Sequence, residues 1–512
     1  MDERMQQAVD EIGKLANRND LRSIKAIAKR FDEAVAAIST DDKEAREKAR
    51  AAARGISKEA FELEKKYIPQ IPDNDSTARE LGCESMIMTV GSQKEPIILS
   101  ILCMKPKKVI LLHTDGSRPT AQEVENDTHV RNMKMEITPL FVTEYDASKN
   151  YQIIKDEALP RAAGVTVIDP TAGRKVMVAS LALIAFYHRY PMVYIHSVEH
   201  EGIIFPFTER LRFIENPFEF FGDAELSLVE DQFNCHLYEA AFRTCEQIAA
   251  RVRDPATHSK VTALRDLISV YRDWDAFTHS SVPEEKRPVP PLSQKLEELL
   301  LDFCRLGFQK CLPQNVDANI NFLKRLDETW RDKRNISDEL RLVDVFASAL
   351  RRGSKEQKKY DDAVGRLYRC LELCSTIKLV ELGLKDTAKP DYESFTSNIG
   401  MTTKQLRDTY SKRKHRKLPS MRLGLEDQMT VLNIAGENIA RIYESLKRSK
   451  RGSDSLMEIR NRSILAHGTN PVTEEHWFLF RDKVQVIIEN TIGKERFQEL
   501  LSMAMHGQIK TI

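Results

Sequence analysis

Short apolar strands alternate with helices between residues 83 and 196, and this alternation constrains the fold more than any other feature of the chain. Runs rich in Val, Ile and Leu that alternate with crossover helices are typical of a parallel, doubly wound sheet. This part of the sequence therefore predicts an α/β domain. The predicted strands are Met86–Val90, Val109–His113, Met135–Val142, Val165–Asp169 and Met192–His196. The predicted helices between them are Ile97–Cys103, Thr120–Asn132, Tyr151–Ala163 and Val176–His188.

Three loops of this domain are candidates for ligand binding: Gly91–Pro96, Thr114–Ser117 and Thr171–Lys175. In parallel sheets, ligands bind beyond the carboxyl ends of the strands, near helix N-termini. None of the loops has the glycine pattern of a dinucleotide site or of a P-loop, so neither a nicotinamide dehydrogenase nor a P-loop NTPase is supported. Small residues, hydroxyls and Lys175 suit phosphates bound without nucleotide hydrolysis. Ordinary turn chemistry is the alternative for each loop taken singly.

The rest of the chain is predicted to be all-α. Residues 1 to about 80 form a predicted helical arm, in which apolar residues recur with a period of 3.6. Helices also dominate after the sheet. They include a long predicted helix, Ala224–Arg253, and are interrupted by a proline-rich linker at Ser281–Pro291.

The stretch Arg460–Gly468 combines a fixed cation with a titratable imidazole. We predict one helix from Leu456 to Ala466 that ends at Gly468. Arg460 and His467 are seven residues apart, so on such a helix they would share a face, roughly 10 Å apart along the axis. Such a pair can serve phosphodiester chemistry. A surface pair or a contact with the helix dipole is the alternative for these residues taken alone.

Charge and cysteine content exclude several classes of function. The net charge is +1, which argues against a general polyanion binder, but the basic runs Lys412–Lys417 and Lys447–Arg451 precede the Arg460 stretch. Such runs are usually solvated; here they favour an electrostatic funnel for RNA. None of the eight cysteines forms a C-x-x-C pair, which leaves zinc and thioredoxin-like sites unsupported. Without a signal peptide or an apolar run long enough to span a bilayer, we expect no membrane association and a cytoplasmic location.

Two of these segments resemble a known family. Ile459–Gly468 resembles the R-x(4–6)-H signature of HEPN ribonucleases, and helix geometry favours Arg460 over Arg462 as its arginine. Thr89–Ser92 and Asp169–Lys175 resemble loops of the CARF domain, a Rossmann-like sensor of cyclic oligoadenylate. Their order along the chain is similar to that of the CARF–HEPN ancillary ribonucleases of type III CRISPR systems. The implied division is an N-terminal helical arm at 1–82, a CARF-like domain at 83–222, a helical spacer at 223–389 and a HEPN domain at 390–512.

The resemblance implies an antiviral endoribonuclease that cleaves single-stranded RNA without a metal or other cofactor, leaving a 2′,3′-cyclic phosphate and a 5′-OH. His467 would act as general base or acid, and Arg460 would hold the scissile phosphate. Asn461 would orient the imidazole or the phosphate, and Ser463 is a weaker candidate. Two copies of the stretch would meet in a homodimer to form a composite site.

The resemblance also implies an allosteric activator, cyclic tetra- or hexa-adenylate, bound across the dimer axis. The implied ligand contacts are Gly91, Ser92, Gln93, Thr114, Ser117, Thr171, Gly173, Arg174 and Lys175. Two residues depart from the family's usual loop, since Ala172 replaces a glycine and Arg174 replaces a threonine. Two alternative functions remain: a ligand sensor that acts by binding, with an inactive HEPN domain, and a ring nuclease that degrades the cyclic ligand.

Overall fold

The chain divides into two compact units, Met1–Phe221 and Gly222–Ile512. The structure, a computed structural model, describes residues 2–39, 42–72, 74, 76–278, 290–331, 338–447, 455–466 and 468–511. Within these ranges no helix is long and apolar enough to cross a membrane. The division into four domains stays a prediction, although the observed boundary falls next to the predicted end of the sheet domain at residue 222.

A mixed sheet forms the centre of the first unit. The strands of this unit are β1 Ser85–Thr89, β2 Lys108–His113, β3 Glu136–Phe141, β4 Thr166–Asp169, β5 Met192–His196, β6 Glu199–His200, β7 Ile203–Ile204 and β8 Arg210–Ile214. The strand order of the central sheet is β3-β2-β1-β4-β5-β8, with parallel pairing from β3 through β5 and antiparallel pairing of β8 with β5. A second small sheet pairs β6 with β7. The predicted parallel, doubly wound sheet is confirmed, and β8 is an addition to it.

Helices cover both faces of the sheet. Met86 and Met88 of β1 belong to one hydrophobic core, whereas Ile87 between them belongs to the other, as alternating strand positions require. The N-terminal helices share the first core with β1, so they form a layer on the sheet. The helices of this unit are Glu3–Gly13, Arg18–Ala36, Lys43–Tyr67, Ser76–Glu80, Glu95–Met104, Arg118–Asn126, Thr128–Asn132, Ala147–Ile153, Lys175–His188 and Pro217–Phe221.

Two of the predicted crossover helices are wrong in extent. The segment predicted as Thr120–Asn132 is two helices, because the Asp127 carboxylate accepts hydrogen bonds from the N–H groups of His129 and Val130 and starts a new helix. The segment predicted as Tyr151–Ala163 begins earlier, since Asp146 caps the helix Ala147–Ile153. Irregular helical turns then follow as far as Arg161.

The second unit is helical and is built around one continuous hydrophobic core that extends from Leu226 to Ile509. The predicted single helix Ala224–Arg253 is wrong, because His236 adopts a positive φ of 59° and breaks it into two. Most of the predicted linker Ser281–Pro291, namely residues 281–289, lies outside the described residues. The helices are Asp223–Asn234, Tyr238–Ala249, Pro255–Asp275, Leu292–Leu306, Val316–Arg331, Asp338–Arg352, Tyr360–Glu381, Tyr392–Asn398, Thr403–Lys414, Leu425–Ala435, Asn438–Leu446, Leu456–Asn461, Glu474–Ile492 and Lys494–Ala504.

A buried ion pair joins two of these helices. The Arg351 side chain is fully buried, and its Nε lies 3.0 Å from Oδ1 of Asp275. The same carboxylate also binds Arg352. A buried guanidinium depends on its counter-charge, because the protein interior solvates an isolated ion poorly.

Asp275→Ala should therefore lower the free energy of unfolding by about 3–5 kcal/mol, since it leaves Arg351 buried without a partner. Asp273→Ala on the same helix is the control. It removes a solvent-accessible pair with Arg272 and should cost about 1 kcal/mol or less. Equilibrium chemical denaturation measures both variants, and equal losses would contradict the structural importance of the buried pair.

Candidate functional site

A pocket of about 470 Å³ lies at the carboxyl edge of the sheet. It opens between β1 and β4, whose following helices cover opposite faces of the sheet. This is the topological switch point, where doubly wound sheets bind their ligands. The lining residues are Val90, Gly91, Ser92, Gln93, Pro96, Thr114, Gly116, Ser117, Glu144, Thr171, Ala172, Gly173, Arg174 and Met177.

The pocket brings together all but one of the predicted ligand contacts. The exception is Lys175, which begins the helix Lys175–His188 and does not line the cavity. Sequence reasoning missed Glu144. Its signal was available, because Glu144 follows the end of β3 at the same edge of the sheet. The assignment of these residues to ligand binding stays a prediction.

Two glycines hold the loops after β1 and β4 together. A Cβ added to Gly91 would lie 2.7 Å from the backbone nitrogen of Gly173. Gly173 itself has a φ of 108°, and its Cβ would lie 3.0 Å from Cβ of Thr89. The two loops therefore pack backbone against backbone, which a side chain at either position would prevent.

Hydroxyl groups fix the same loops. The backbone N–H of Thr171 donates to Oδ1 of Asp169 at 2.7 Å, and the Thr171 hydroxyl donates to the same oxygen. That hydroxyl also accepts from the N–H of Ile195 at 2.9 Å. Burial raises the pKa of Asp169, against the opposing effect of these hydrogen bonds. The Thr171 side chain is thus committed to holding the loop, and a ligand would meet the loop's backbone.

One ion pair lies in the pocket. Arg174 Nη2 is 3.2 Å from Oε2 of Glu144, and both side chains are accessible to solvent. Arg174 offers a guanidinium to an anionic ligand, and Glu144 is the carboxylate with which that ligand would compete. Arg174, which replaces the threonine usual in the family's loop, therefore provides the positive charge in the wall of the pocket.

Gly91→Ala should lower the free energy of unfolding by about 1–3 kcal/mol, because the new methyl group collides with the backbone at Gly173. Gly55→Ala is the matched control. It lies in the helix Lys43–Tyr67 with nothing within 4 Å and should stabilise by roughly 0.5–1 kcal/mol. Thermal unfolding of both variants tests this, and a Gly91 variant as stable as the control would contradict the close packing of the two loops.

The Arg460 stretch lies in the second unit and begins at the end of a short helix, Leu456–Asn461. Ser455 and Glu458 form a capping box at its start, with reciprocal hydrogen bonds of 2.7 and 3.2 Å. The helix ends at Asn461. The predicted continuation to Ala466 is wrong, and so is the argument that Arg460 and His467 share a helix face. His467 itself lies outside the described residues.

The chain turns back on itself directly after this helix. The N–H of Gly468 donates to the carbonyl of Ser463 at 3.2 Å, and the N–H of Asn470 donates to the carbonyl of Arg462 at 3.0 Å. A Cβ on Gly468 would lie 2.2 Å from the Arg462 carbonyl oxygen. Gly468 therefore permits two parts of the backbone to approach closely. Contrary to the prediction, it does not end the helix, because the helix has already ended at Asn461. Ser463 is buried, which makes it a poor candidate for contact with a substrate.

Arg460 is held by two neighbours. Its Nη1 donates to Oδ1 of Asn461 at 3.0 Å, so two of the predicted catalytic residues are in contact. Its guanidinium carbon lies 3.9 Å from the centre of the Tyr368 ring. Sequence reasoning missed Tyr368, because no local pattern connects it with Arg460.

The two basic runs meet at one carboxylate. Lys414 and Lys447 both bind Oε2 of Glu426, at 3.0 and 2.9 Å, and the hydroxyl of Tyr443 donates to its other oxygen at 2.6 Å. Burial alone would raise the pKa of Glu426, but these donors outweigh it and lower the pKa to about 2. Arg416 is likewise paired with Asp427.

Part of the positive charge that was predicted to attract RNA is thus neutralised by carboxylates within the protein. Lys412, Arg413 and Lys417 remain exposed, whereas residues 448–451 lie outside the described residues. As far as the structure describes the chain, no group of three or more His, Cys, Asp or Glu side chains could hold a metal ion.

A family model described as "Csm6 HEPN domain" matches residues 332–491, which include Tyr368, Glu426 and the Arg460 stretch. Residues 332–491 are thus similar to the HEPN domain of Csm6. The resemblance to CARF–HEPN proteins is thereby confirmed, and the HEPN match begins within the predicted spacer. No curated protein sequence matches the chain.

The solved structures similar to this chain include two proteins with a bound cyclic oligonucleotide. Enterococcus italicus Csm6, bound to cyclic hexa-2′-fluoro-hexa-dAMP, has 10% sequence identity and a TM-score of 0.47, covering 82% of this chain and 98% of its own. Can2 from Sulfobacillus thermosulfidooxidans, in complex with cyclic tetra-adenylate, has 12% identity and a TM-score of 0.21, covering 48% of this chain and 68% of its own.

Proposed function

We propose that this protein is a metal-independent endoribonuclease that cleaves single-stranded RNA when a cyclic oligoadenylate binds its sheet domain. The observation that carries the proposal is the pairing of Arg460 with Asn461 inside the region that is similar to the HEPN domain of Csm6. The pocket at the switch point, with Arg174 in its wall, supports an anionic activator of nucleotide type. Its identity as cyclic tetra- or hexa-adenylate comes from the family resemblance.

The chemistry is an in-line displacement at phosphorus. The ribose 2′-OH attacks the adjacent phosphate, the bond to the 5′-oxygen breaks, and a 2′,3′-cyclic phosphate and a 5′-OH are formed. His467 would move the proton, because an imidazole titrates near neutral pH. Arg460 would contact the non-bridging oxygens and stabilise the charge that develops on them. Asn461, hydrogen-bonded to Arg460, would keep that guanidinium oriented.

A homodimer would supply a second copy of each group. Ile464 and Leu465 support this part of the proposal, since they follow Arg460 closely and are 67% and 53% exposed. Apolar side chains this accessible beside a polar site are typical of a protein interface. Exposed Lys412, Arg413 and Lys417 would attract the RNA backbone.

His467→Ala and Arg460→Ala should each lower the single-turnover rate of RNA cleavage by about 10²–10⁴-fold, because each removes a group that acts in the transition state. Exposed Arg441 on the helix Asn438–Leu446 provides a control, and Arg441→Ala should cleave like the wild type. The assay uses single-stranded RNA with cyclic tetra- or hexa-adenylate and excess EDTA, and it identifies the product ends. Wild-type rates in the His467 variant, or no cleavage by the wild type with either activator, would refute the proposal.

Glu144→Gln should bind cyclic oligoadenylate roughly two- to fivefold more tightly than the wild type, because it frees Arg174 and removes a negative charge from the pocket. Arg174→Ala should bind more weakly. Glu123→Gln is the control. Like Glu144, Glu123 belongs to an ion pair, with Lys94 at 2.8 Å, but it does not line the pocket. Calorimetric titration measures all three variants, and equal affinities would exclude the Arg174–Glu144 pair from ligand binding.

A further inference from the structure

One face of the helix Tyr360–Glu381 supports the segment that carries the proposed ribonuclease residues. Asp361, Gly365 and Tyr368 are spaced so that they lie on the same side of this helix. Each of them meets a different part of the segment between Arg460 and Val472. The segment is thus held at three separate points by one helix.

The first two points fix the backbone path. Both carboxylate oxygens of Asp361 lie 3.3 Å from the backbone nitrogen of Val472, whose N–H donates to them. Leu465 packs beside Gly365, since its Cδ1 would be in ordinary van der Waals contact, 3.5 Å, with a Cβ at that glycine. The helix Leu456–Asn461 has ended at this point, so these contacts fix the position of the turn that follows it.

The third point fixes the arginine itself. The guanidinium of Arg460 stacks on the ring of Tyr368 at 3.9 Å. An arginine side chain has many rotamers, and the helix that carries Arg460 ends one residue later. The ring therefore restricts a side chain that its own backbone would leave free.

The chemistry of this contact suits a phosphate-binding arginine. A carboxylate partner would occupy N–H donors of the guanidinium and neutralise its charge. An aromatic ring contacts the flat face of the guanidinium and leaves the N–H groups at its edge available for phosphate oxygens. Burial raises the pKa of Tyr368, while the charge of Arg460 opposes that rise, so the phenol stays neutral and does not compete for the cation.

We propose that Tyr368 is a positioning residue of the ribonuclease site, whose ring holds the Arg460 guanidinium with its N–H edge toward the scissile phosphate. This inference rests on the proposed function and adds a residue to it. The contact is made by the ring and not by the hydroxyl. A phenylalanine at position 368 should therefore preserve the stacking on Arg460, whereas an aliphatic side chain should abolish it.

The experiment compares Tyr368→Phe, Tyr368→Leu and Tyr368→Met with Tyr360→Leu in the full chain. Tyr360 begins the same helix and hydrogen-bonds to Glu474, so its loss removes a ring without touching Arg460. With activated enzyme, Tyr368→Leu and Tyr368→Met should lower kcat by roughly 2- to 30-fold with little change in KM. Tyr368→Phe and Tyr360→Leu should stay close to the wild type, and thermal unfolding identifies any variant that does not fold.

A second measurement does not depend on RNA cleavage. Phenylglyoxal modifies accessible arginines, and peptide mass spectrometry reports its rate at Arg460. We expect several-fold faster modification in Tyr368→Leu and the wild-type rate in Tyr368→Phe. An unchanged rate in Tyr368→Leu overturns the inference, and so does a wild-type kcat in that variant or a Phe variant as impaired as the Leu variant. If the wild type cleaves no RNA, the proposed function fails, while the modification rate still decides whether Tyr368 holds Arg460.

Discussion

Strand β1 pairs with β2 on one side and with β4 on the other, and every residue of β1 is buried. This central position determines the geometry of the whole first unit. The chain leaves β1 toward one face of the sheet and leaves β4 toward the other, so the two following loops separate at the sheet edge and a pocket opens there. The contact of Gly91 with Gly173 then sets how closely those loops approach each other.

The second unit positions its candidate residues differently. Its support is the long helix Tyr360–Glu381, which contacts one loop segment through the Asp361 carboxylate, the backbone at Gly365 and the ring of Tyr368. In both units the polar groups near the site mostly bind other protein groups: the Thr171 hydroxyl binds Asp169, and Lys414 binds Glu426. The groups left for a ligand or substrate include backbone N–H groups, the side chains of Ser92 and Gln93, and a few cations.

The sequence was sufficient to predict the sheet, because strands buried on both faces are apolar runs that differ clearly from amphipathic helices. Strand β8 was missed although Arg210–Phe213 alternates polar and apolar residues, as an edge strand should. No local pattern indicates the end of the helix at Asn461, and the approach of Gly468 to Arg462 directly after it is visible only in the folded chain. Tyr368 and Arg460 are far apart in sequence, and only the folded helices bring them together.

The carboxylate of Glu426 has a consequence for the way this protein would respond to salt. Each phosphate that a cation neutralises releases counterions from the nucleic acid, and the number released sets how steeply affinity falls with salt concentration. Lys414 and Lys447 already share an internal anion, and Arg416 has its own. Under the proposed function, the salt dependence of RNA binding would therefore correspond to fewer cations than the two basic runs contain.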